Sequence, residues 1–323
     1  MRRARFAGAG AALPSQVVAN AEIEDRLGVE RGWIERTGIR ERRVLAGAES
    51  LVDLAEHATR DALAAASLAT SDVDAVVVAT ASSEYRFPSL ACLLHERLGL
   101  ANAPAFDVAA ACAGFPYALA VADQGIRAGD YERVVVVGAD CLSAFVDPSD
   151  RATAPLFGDG AGAVVLEVDT DVRPEARGIL ASRLRALGAL WPILTAPIAA
   201  TSDDAGARAS MHMDGPEVFR VAVEHLVDLT REVLAAAGAA PEDVALFVPH
   251  QANLRIIRMM LQLLRIDESR AYVNLQRYGN TSAASIPIAL AEAVRDGRLA
   301  AGDLVVLNAV GGGITAGAVV ARW

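Results

Sequence analysis

The sequence predicts a layered α/β fold made of two similar halves, on three observations. Apolar runs without alternation occur at Asp74–Thr80, Arg133–Gly138 and Ala161–Glu167, as expected of strands covered on both faces. Ser50–Ala66 has the apolar spacing of a helix. The order of the first half also returns at a steady offset of about 170 residues, the mark of a duplicated βαβ-rich unit.

Taken in order, residues 3–13 read as a first strand and residues 18–28 as a short helix. Ser50 stands where an N-cap belongs, immediately before the helical run. Asp74–Thr80 is the first buried strand. Phe106-Asp107-Val108 is a strand end that runs into Ala109-Ala110-Ala111, then Cys112, then Ala113-Gly114, and Tyr117–Gln124 reads as a helix. Cys112 therefore lies at a strand-to-helix turn. Amides at a helix start favour negative charge, so a thiol there ionises more easily, and small neighbours let a substrate approach. The plain alternative is a buried apolar cysteine used for packing. Arg133–Gly138 and Ala161–Glu167 complete the strands of the first half.

The second half repeats this order. Asp243–His250 aligns with Asp74–Ala81, Val273-Asn274-Leu275 with the strand Phe106–Val108, and Asp303–Leu307 with Arg133–Val137. Cys112 then falls near Asn280. Val248-Pro249-His250-Gln251-Ala252-Asn253 and Tyr278-Gly279-Asn280-Thr281-Ser282-Ala283-Ala284-Ser285 each follow an apolar run and open a helical one. Each brings a polar side chain to the same kind of place as Cys112. A cysteine with a spatially adjacent His and Asn is a known catalytic set, although isolated His and Asn residues are more often a core histidine and a helix cap. Residues 185–214 lack clear periodicity, and Pro192 and Pro197 break them. So apolar a segment is expected to cover a binding groove or tunnel; a plain surface linker is the alternative.

Composition narrows the class. The chain has 323 residues, 53% apolar and 22% charged, which is globular and long enough for a large core. The net charge is −10, and every basic residue is Arg. An acidic total argues against a general nucleic-acid binder. Three cysteines, Cys92, Cys112 and Cys141, form no CxxC pair, which fits neither a disulfide framework nor a zinc site and suits a reducing cytoplasm. Cys92 and Cys141 read as packing residues. Arg2, Arg3 and Arg5 precede a short Ala/Gly-rich run ending at Pro14, which is not a signal peptide. The longest uncharged runs are Val108–Ala122, Ala186–Ser202 and Leu304–Ala321. The first two are too short to span a membrane, and the third holds Gly311-Gly312-Gly313, which reads as a strand–turn–strand. Gly8-Ala9-Gly10 weakly mimics a dinucleotide loop, but no acidic ribose partner follows at the right distance.

In these motifs the chain resembles the β-ketoacyl-acyl carrier protein synthase III family of condensing enzymes, in the thiolase superfamily. The resemblance rests on Asp107–Phe115, Pro249–Asn253, Gly279–Ser282, Phe157–Gly162 and Gly311–Gly313, with Trp33–Ile39 and Phe87-Pro88-Ser89 besides. It implies the thiolase fold, two halves (1–171 with the cysteine, 172–323 with the His and Asn) in α-β-α-β-α layers. It implies that Cys112 is the acyl acceptor, that His250 and Asn280 hold the enolate of a second thioester, and that the Cys112 and Gly312 amides form an oxyanion hole. Trp33 and Arg36, spaced one residue closer than is usual in the family, resemble the pair that holds the coenzyme A adenine. Arg151 and Arg255 resemble phosphate or carrier-protein contacts, and Asn253 a pantetheine contact. Phe87 resembles a residue that reaches across a homodimer interface to limit the partner's acyl pocket.

The implied substrates are coenzyme A or acyl carrier protein thioesters, with no metal and no redox cofactor, in the cytoplasm and off the membrane. Fatty-acid starter condensation is the first reading. A secondary-metabolism ketosynthase giving a polyketide, pyrone or quinolone precursor is the second, an acyltransferase without decarboxylation the third, a thioester hydrolase the fourth, and a binding protein the last.

Overall fold

The computed structural model describes residues 2–171, 177–197 and 210–323. The boundary expected at residue 172 and part of the expected tunnel cover (198–209) lie outside the described residues. In chain order the first half contains β1 (Arg3–Ala12), β2 (Gln16–Ala19), α1 (Asn20–Leu27), β3 (Glu41–Val44), α2 (Leu51–Ala66), β4 (Ala75–Ala79), α3 (Leu90–Leu98), β5 (Ala105–Val108), α4 (Gly114–Ala128), β6 (Arg133–Cys141) and β7 (Asp159–Asp169). The second contains β8 (Gly178–Ala186), β9 (Leu194–Thr195), β10 (His212–Met213), α5 (Gly215–Ala237), β11 (Leu246–Pro249), α6 (Leu254–Leu264), α7 (Leu275–Tyr278), α8 (Ser285–Arg295), β12 (Leu304–Gly311) and β13 (Thr315–Arg322).

Local chemistry sets the helix ends. The Ser50 hydroxyl accepts from the Asp53 amide at 3.2 Å, and the Asp53 carboxylate accepts from the Ser50 amide at 3.1 Å, a reciprocal cap that starts α2. The amides of Leu90 and Ala91, at the start of α3, each donate to the Asp107 carboxylate at 2.8 Å. Asp107 is thus a structural member of the cysteine motif.

Two sheets carry the duplication. The first has the order β1-β7-β6-β4-β5, and the second β11-β12-β13-β8. β4 with β6 and β11 with β12 run parallel, the next two pairings along each sheet are antiparallel, and β5 adds a third parallel strand beside β4 in the first sheet. β4, β6, β7 and β1 thus correspond to β11, β12, β13 and β8. The counterpart of β5 is missing as a strand. Val273-Asn274-Leu275, aligned with it in the sequence, forms no ladder; a single bridge joins Phe247 and Ala271. The backbone there is drawn into a buried polar network instead. The Asn274 amide donates to Gln251 Oε1 at 3.0 Å and its side chain donates to Glu292 Oε2 at 2.9 Å.

Helices α2 and α3 cover the outer face of the first sheet, and α5 the outer face of the second with α6 packed against it. Helices α4 and α8 lie between the sheets and touch both. This is the expected α-β-α-β-α sandwich. The inner core joins Val77, Val136 and Val164 of the first sheet to Phe115 and Leu119 of α4, Ile286 and Leu290 of α8, and Val305 and Leu307 of β12. The all-valine runs are buried on both faces, as their lack of alternation predicted. Gly8 and Gly10 bind no phosphate in this geometry. A Cβ on either would fall 2.3 Å from a backbone carbonyl of α2, so these glycines let the helix lie directly on β1.

Candidate active site

Two turns with the same backbone meet between the sheets. Each is one turn of 3-10 helix, Ala111–Ala113 before α4 and Ser282–Ala284 before α8. Each begins with a non-glycine residue in the left-handed region, Ala111 at φ 46° and Ser282 at φ 53°. Such backbone is uncommon outside glycine and clusters at functional sites. The turns approach closely because their neighbours are small. A Cβ on Gly138 would lie 2.3 Å from the Ala283 carbonyl, and one on Gly114 would lie 3.0 Å from the Ala79 Cβ.

Cys112, in the first turn, is only 7% exposed. The Ser282 hydroxyl donates to its sulfur at 3.4 Å. Burial pushes the Cys112 thiol up to about 12; the Ser282 hydrogen bond opposes that, and the negative charge of Asp140 adds to it. Asp140 lies wholly inside. One of its oxygens accepts from Thr80 Oγ1, the Ala81 amide and Ser82 Oγ at 3.2, 2.8 and 2.7 Å, and the other accepts from the Ala283 amide at 3.1 Å. Burial raises its carboxyl as well.

His250 follows β11, and its amide donates to the Asn308 carbonyl at 2.8 Å. Its Nδ1 is 2.6 Å from the Ser285 hydroxyl. That hydroxyl also accepts from the Gln251 amide at 3.3 Å. Among the described residues, Nδ1 is the one acceptor within reach of the Ser285 proton. A buried hydroxyl donates where it can, so Nδ1 accepts and Nε2 carries the ring proton. Burial lowers the imidazole to about 4, so the ring is neutral near pH 7. Asn280 sits where its backbone bridges Phe157. Its side-chain oxygen accepts from the Ser282 amide at 2.9 Å, which leaves its Nδ2 hydrogens to donate elsewhere.

Cys112, His250 and Asn280 line one cavity of about 800 Å³. Trp33, Arg36, Arg151, Asn253 and Arg255 line it too, so one continuous space joins these groups to the sulfur. Leu156, Phe157, Leu194, Met213 and Phe219 give it an apolar wall. Leu194 and Met213 belong to β9 and β10, which pair antiparallel, so parts of the described ends of the segment 185–214 line this cavity. Trp191 of that segment is not among the lining residues and is 61% exposed. Gly311 also lines the cavity. A Cβ on it would lie 2.5 Å from the Cys112 nitrogen and 2.8 Å from the Ala113 nitrogen, so the hairpin between β12 and β13 presses on the amides at the start of α4. Thr315 Oγ1 ties that hairpin to the Ala110 carbonyl at 2.8 Å. Gly312 follows in the same turn, beside Ala111 and Leu194.

One expectation is changed, that of Cys92, and two other residues show a geometry the sequence does not carry. Trp33 and Arg36 do line the cavity, but they stack on each other, with the guanidinium carbon 4.1 Å from the ring centroid. A base sandwiched between them would need roughly twice a van der Waals contact, about 7 Å, so the pair forms a closed cation–π contact rather than an open slot. Phe87 is 86% exposed and lies outside the cavity of its own chain, as a residue expected to reach a partner's pocket must. Cys92 is exposed on α3 rather than packed in the core. Sequence reading passed over Ser282, Ser285 and Asp140. The two serines stand inside a motif already singled out, but nothing in their spacing says which groups they face.

The comparisons with known proteins agree along the whole chain. Residues 106–188 match the family described as 3-Oxoacyl-[acyl-carrier-protein (ACP)] synthase III, and residues 234–323 match its C-terminal counterpart. The β-ketoacyl-[acyl-carrier-protein] synthase III of Rhodospirillum centenum is 45% identical over 323 residues, covering 99% of each chain. The crystal structure of the Aquifex aeolicus 3-oxoacyl-[acyl-carrier-protein] synthase III superposes with a TM-score of 0.92 at 43% identity, covering 99% of this chain and 100% of that one. The priming β-ketosynthase of the R1128 polyketide biosynthetic pathway gives a TM-score of 0.93 at 34% identity, covering 99% and 96%.

Proposed function

The chain belongs to the 3-oxoacyl-[acyl-carrier-protein] synthase III family of thiolase-fold condensing acyltransferases, and from that premise we propose that Cys112 takes the acyl group while His250 and Asn280 hold the enolate that attacks it. One observation carries the assignment. Both polar side chains have one end already occupied, His250 Nδ1 by Ser285 and Asn280 Oδ1 by the Ser282 amide, so each is left with an N–H donor in the cavity that holds the Cys112 sulfur.

The Cys112 thiolate attacks the carbonyl carbon of an acyl thioester. A new C–S bond forms, and the Cys112 and Gly312 amides stabilise the oxyanion. The old C–S bond breaks, and the departing thiolate takes a proton equivalent to the one Cys112 lost. A malonyl thioester then loses carbon dioxide. The electron pair of the broken C–C bond becomes an enolate, whose oxygen accepts from His250 Nε2–H and Asn280 Nδ2–H. The enolate carbon attacks the acyl-enzyme, a C–C bond forms, and the Cys112 thiolate leaves. Hydrogen bonds from neutral groups carry the charge at each stage, so the reading includes no metal and no redox cofactor.

Coenzyme A or acyl carrier protein delivers the acyl groups along the cavity. Arg151, Arg255 and Asn253 stand along that path, and Trp33 and Arg36 contact the carrier as a stacked pair. The reading includes two halves, 1–171 and 172–323, a cytoplasmic setting and a homodimer. For the dimer, β5 is a sheet edge among the described residues, and Tyr85 and Phe87 are exposed apolar residues in the loop before α3. Among the described residues no helix is long and apolar enough to cross a membrane. A second reading, priming of a polyketide rather than fatty-acid initiation, draws on the likeness to the R1128 priming ketosynthase.

The test is the intact mass of the protein after incubation with acetyl, branched, long-chain and 3-ketoacyl thioesters on both carriers. Acetyl or short branched adducts on Cys112 support fatty-acid initiation; adducts from long or ketoacyl chains alone support the second reading. Cys112→Ala is expected to take no adduct. Asn280→Ala is expected to acylate but to fail in decarboxylating a malonyl thioester, and full condensation by it would overturn the assigned roles.

A further inference from the structure

Cys112 has an unfavourable setting for a nucleophile. It is buried, the carboxylate of Asp140 stands behind it, and its thiol is pushed up to about 12. The titratable groups around the turn are Asp140, from β6, and His250, from the segment after β11. Neither supplies a positive charge near pH 7, because burial keeps the imidazole neutral. What favours the thiolate is therefore limited to hydrogen bonds: the amides at the start of α4 and the hydroxyl of Ser282.

Ser282 stands at φ 53°, a conformation that suits glycine and strains other L-residues. The side chain is wholly enclosed. Its amide is held by Asn280 Oδ1, and the next amide, of Ala283, by Asp140. Two polar groups thus clamp the strained turn from both sides, and the turn holds the hydroxyl between the sulfur at 3.4 Å and the Asp140 carboxyl, which its hydrogen bond also lowers. In the duplicated first turn the same left-handed place is taken by Ala111, which has no polar group.

We propose that Ser282 is a positioning residue for the nucleophile: its hydroxyl donates to Cys112 Sγ and stabilises the thiolate that burial disfavours. This rests on Cys112 being the acyl acceptor. Asp140 and Asn280 act through Ser282 in this respect, by holding the turn that presents it. The hydroxyl gains most when the sulfur is negative, since hydrogen bonds to a charged acceptor are about twice as strong as neutral ones.

The experiment measures the alkylation rate of Cys112 by iodoacetamide against pH, read on the Cys112 peptide by mass so that the exposed Cys92 does not interfere. The parent, Ser282→Ala and Ser282→Gly are compared. Below the thiol's pKa the logarithm of the rate rises with unit slope. Loss of the hydrogen bond is expected to lower the thiolate fraction about tenfold. The more basic thiolate regains roughly threefold in nucleophilicity, so both variant lines should lie parallel to the parent and about threefold below it. Acylation by an acyl thioester should fall in step, and decarboxylation of a malonyl thioester should change less than about twofold. Superposition of the Ala line on the parent would overturn the proposal. So would a slow Ala variant with a parental Gly variant, because Gly relieves the strain without restoring the hydroxyl. An acyl adduct persisting on Cys112→Ala would defeat the acyl-acceptor reading instead, and the alkylation series would still report the Ser282 hydrogen bond.

Discussion

Replacing Gly311 with Ala tests whether the hairpin between β12 and β13 fixes the nucleophile. Gly311 does not occupy the left-handed region, so alanine meets no conformational obstacle there. The obstacle is space. The new Cβ would lie 2.5 Å from the Cys112 nitrogen, 2.8 Å from the Ala113 nitrogen and 3.1 Å from the Ala110 oxygen, where ordinary contact begins at 3.4 Å. All three are backbone atoms, so no side chain can swing away. Either the strand or the cysteine turn must give by about 0.9 Å. Overpacking of this kind costs about 1–3 kcal/mol of stability. A displacement approaching 1 Å at a reacting atom costs about a hundredfold in rate. The assay is the acylation rate of Cys112 by intact mass, beside the urea midpoint. Gly188→Ala is the control, since its Cβ would meet nothing within 4 Å. The Gly311 variant should acylate about a hundredfold slower and the Gly188 variant at nearly the parental rate. A Gly311→Ala protein that acylates at the parental rate would refute the argument that this glycine places the thiol.

Three further outcomes are expected. Ser285→Ala leaves His250 Nδ1 without its donor, so malonyl decarboxylation should fall about tenfold while Cys112 acylation holds, and Ser285→Thr should recover most of the loss. His250, with its folded value lowered from 6.5 to about 4, declines a proton that the unfolded chain accepts. Stability from this group is therefore full above pH 6.5 and falls by about 1.4 kcal/mol per unit until about pH 4; urea unfolding against pH should show this slope in the parent and lose it in His250→Gln. Glu292 accepts from Asn274, Arg277 and Tyr278 at 2.9, 2.6 and 2.5 Å, so Glu292→Gln, which turns one acceptor into a donor, should cost about 2 kcal/mol in the same assay.

Much of the architecture could be read along the chain because its causes are local. The unbroken valine runs of β4 and β6 have no polar face to turn to water, and both faces are covered. Ser50 caps α2 as its position suggested, since capping needs only residues three apart in sequence. The repeat of about 170 residues foretold two sheets of matching order, because duplicated segments carry the same apolar pattern. It failed at Val273–Leu275, where a buried Asn and Glu compete for the backbone and a strand gives way to one bridge.

By itself the sequence determined which residues could carry the chemistry: a cysteine at a helix start, with His250 and Asn280 at the two equivalent places in the second half. Only the tertiary structure decided what those residues face. Cys112 and Ser282 are 170 positions apart and touch because Gly138 and Gly114 let two turns approach between the sheets. The direction of the His250 proton depends on Ser285, which opens α8, 35 positions along the chain. Trp33 and Arg36, near neighbours in the sequence, stack on each other in space, and Cys92, read as a packing residue, is exposed on α3. Periodicity and capping act over a few residues, whereas burial, hydrogen-bond partners and charge are set by whatever the packed layers bring alongside.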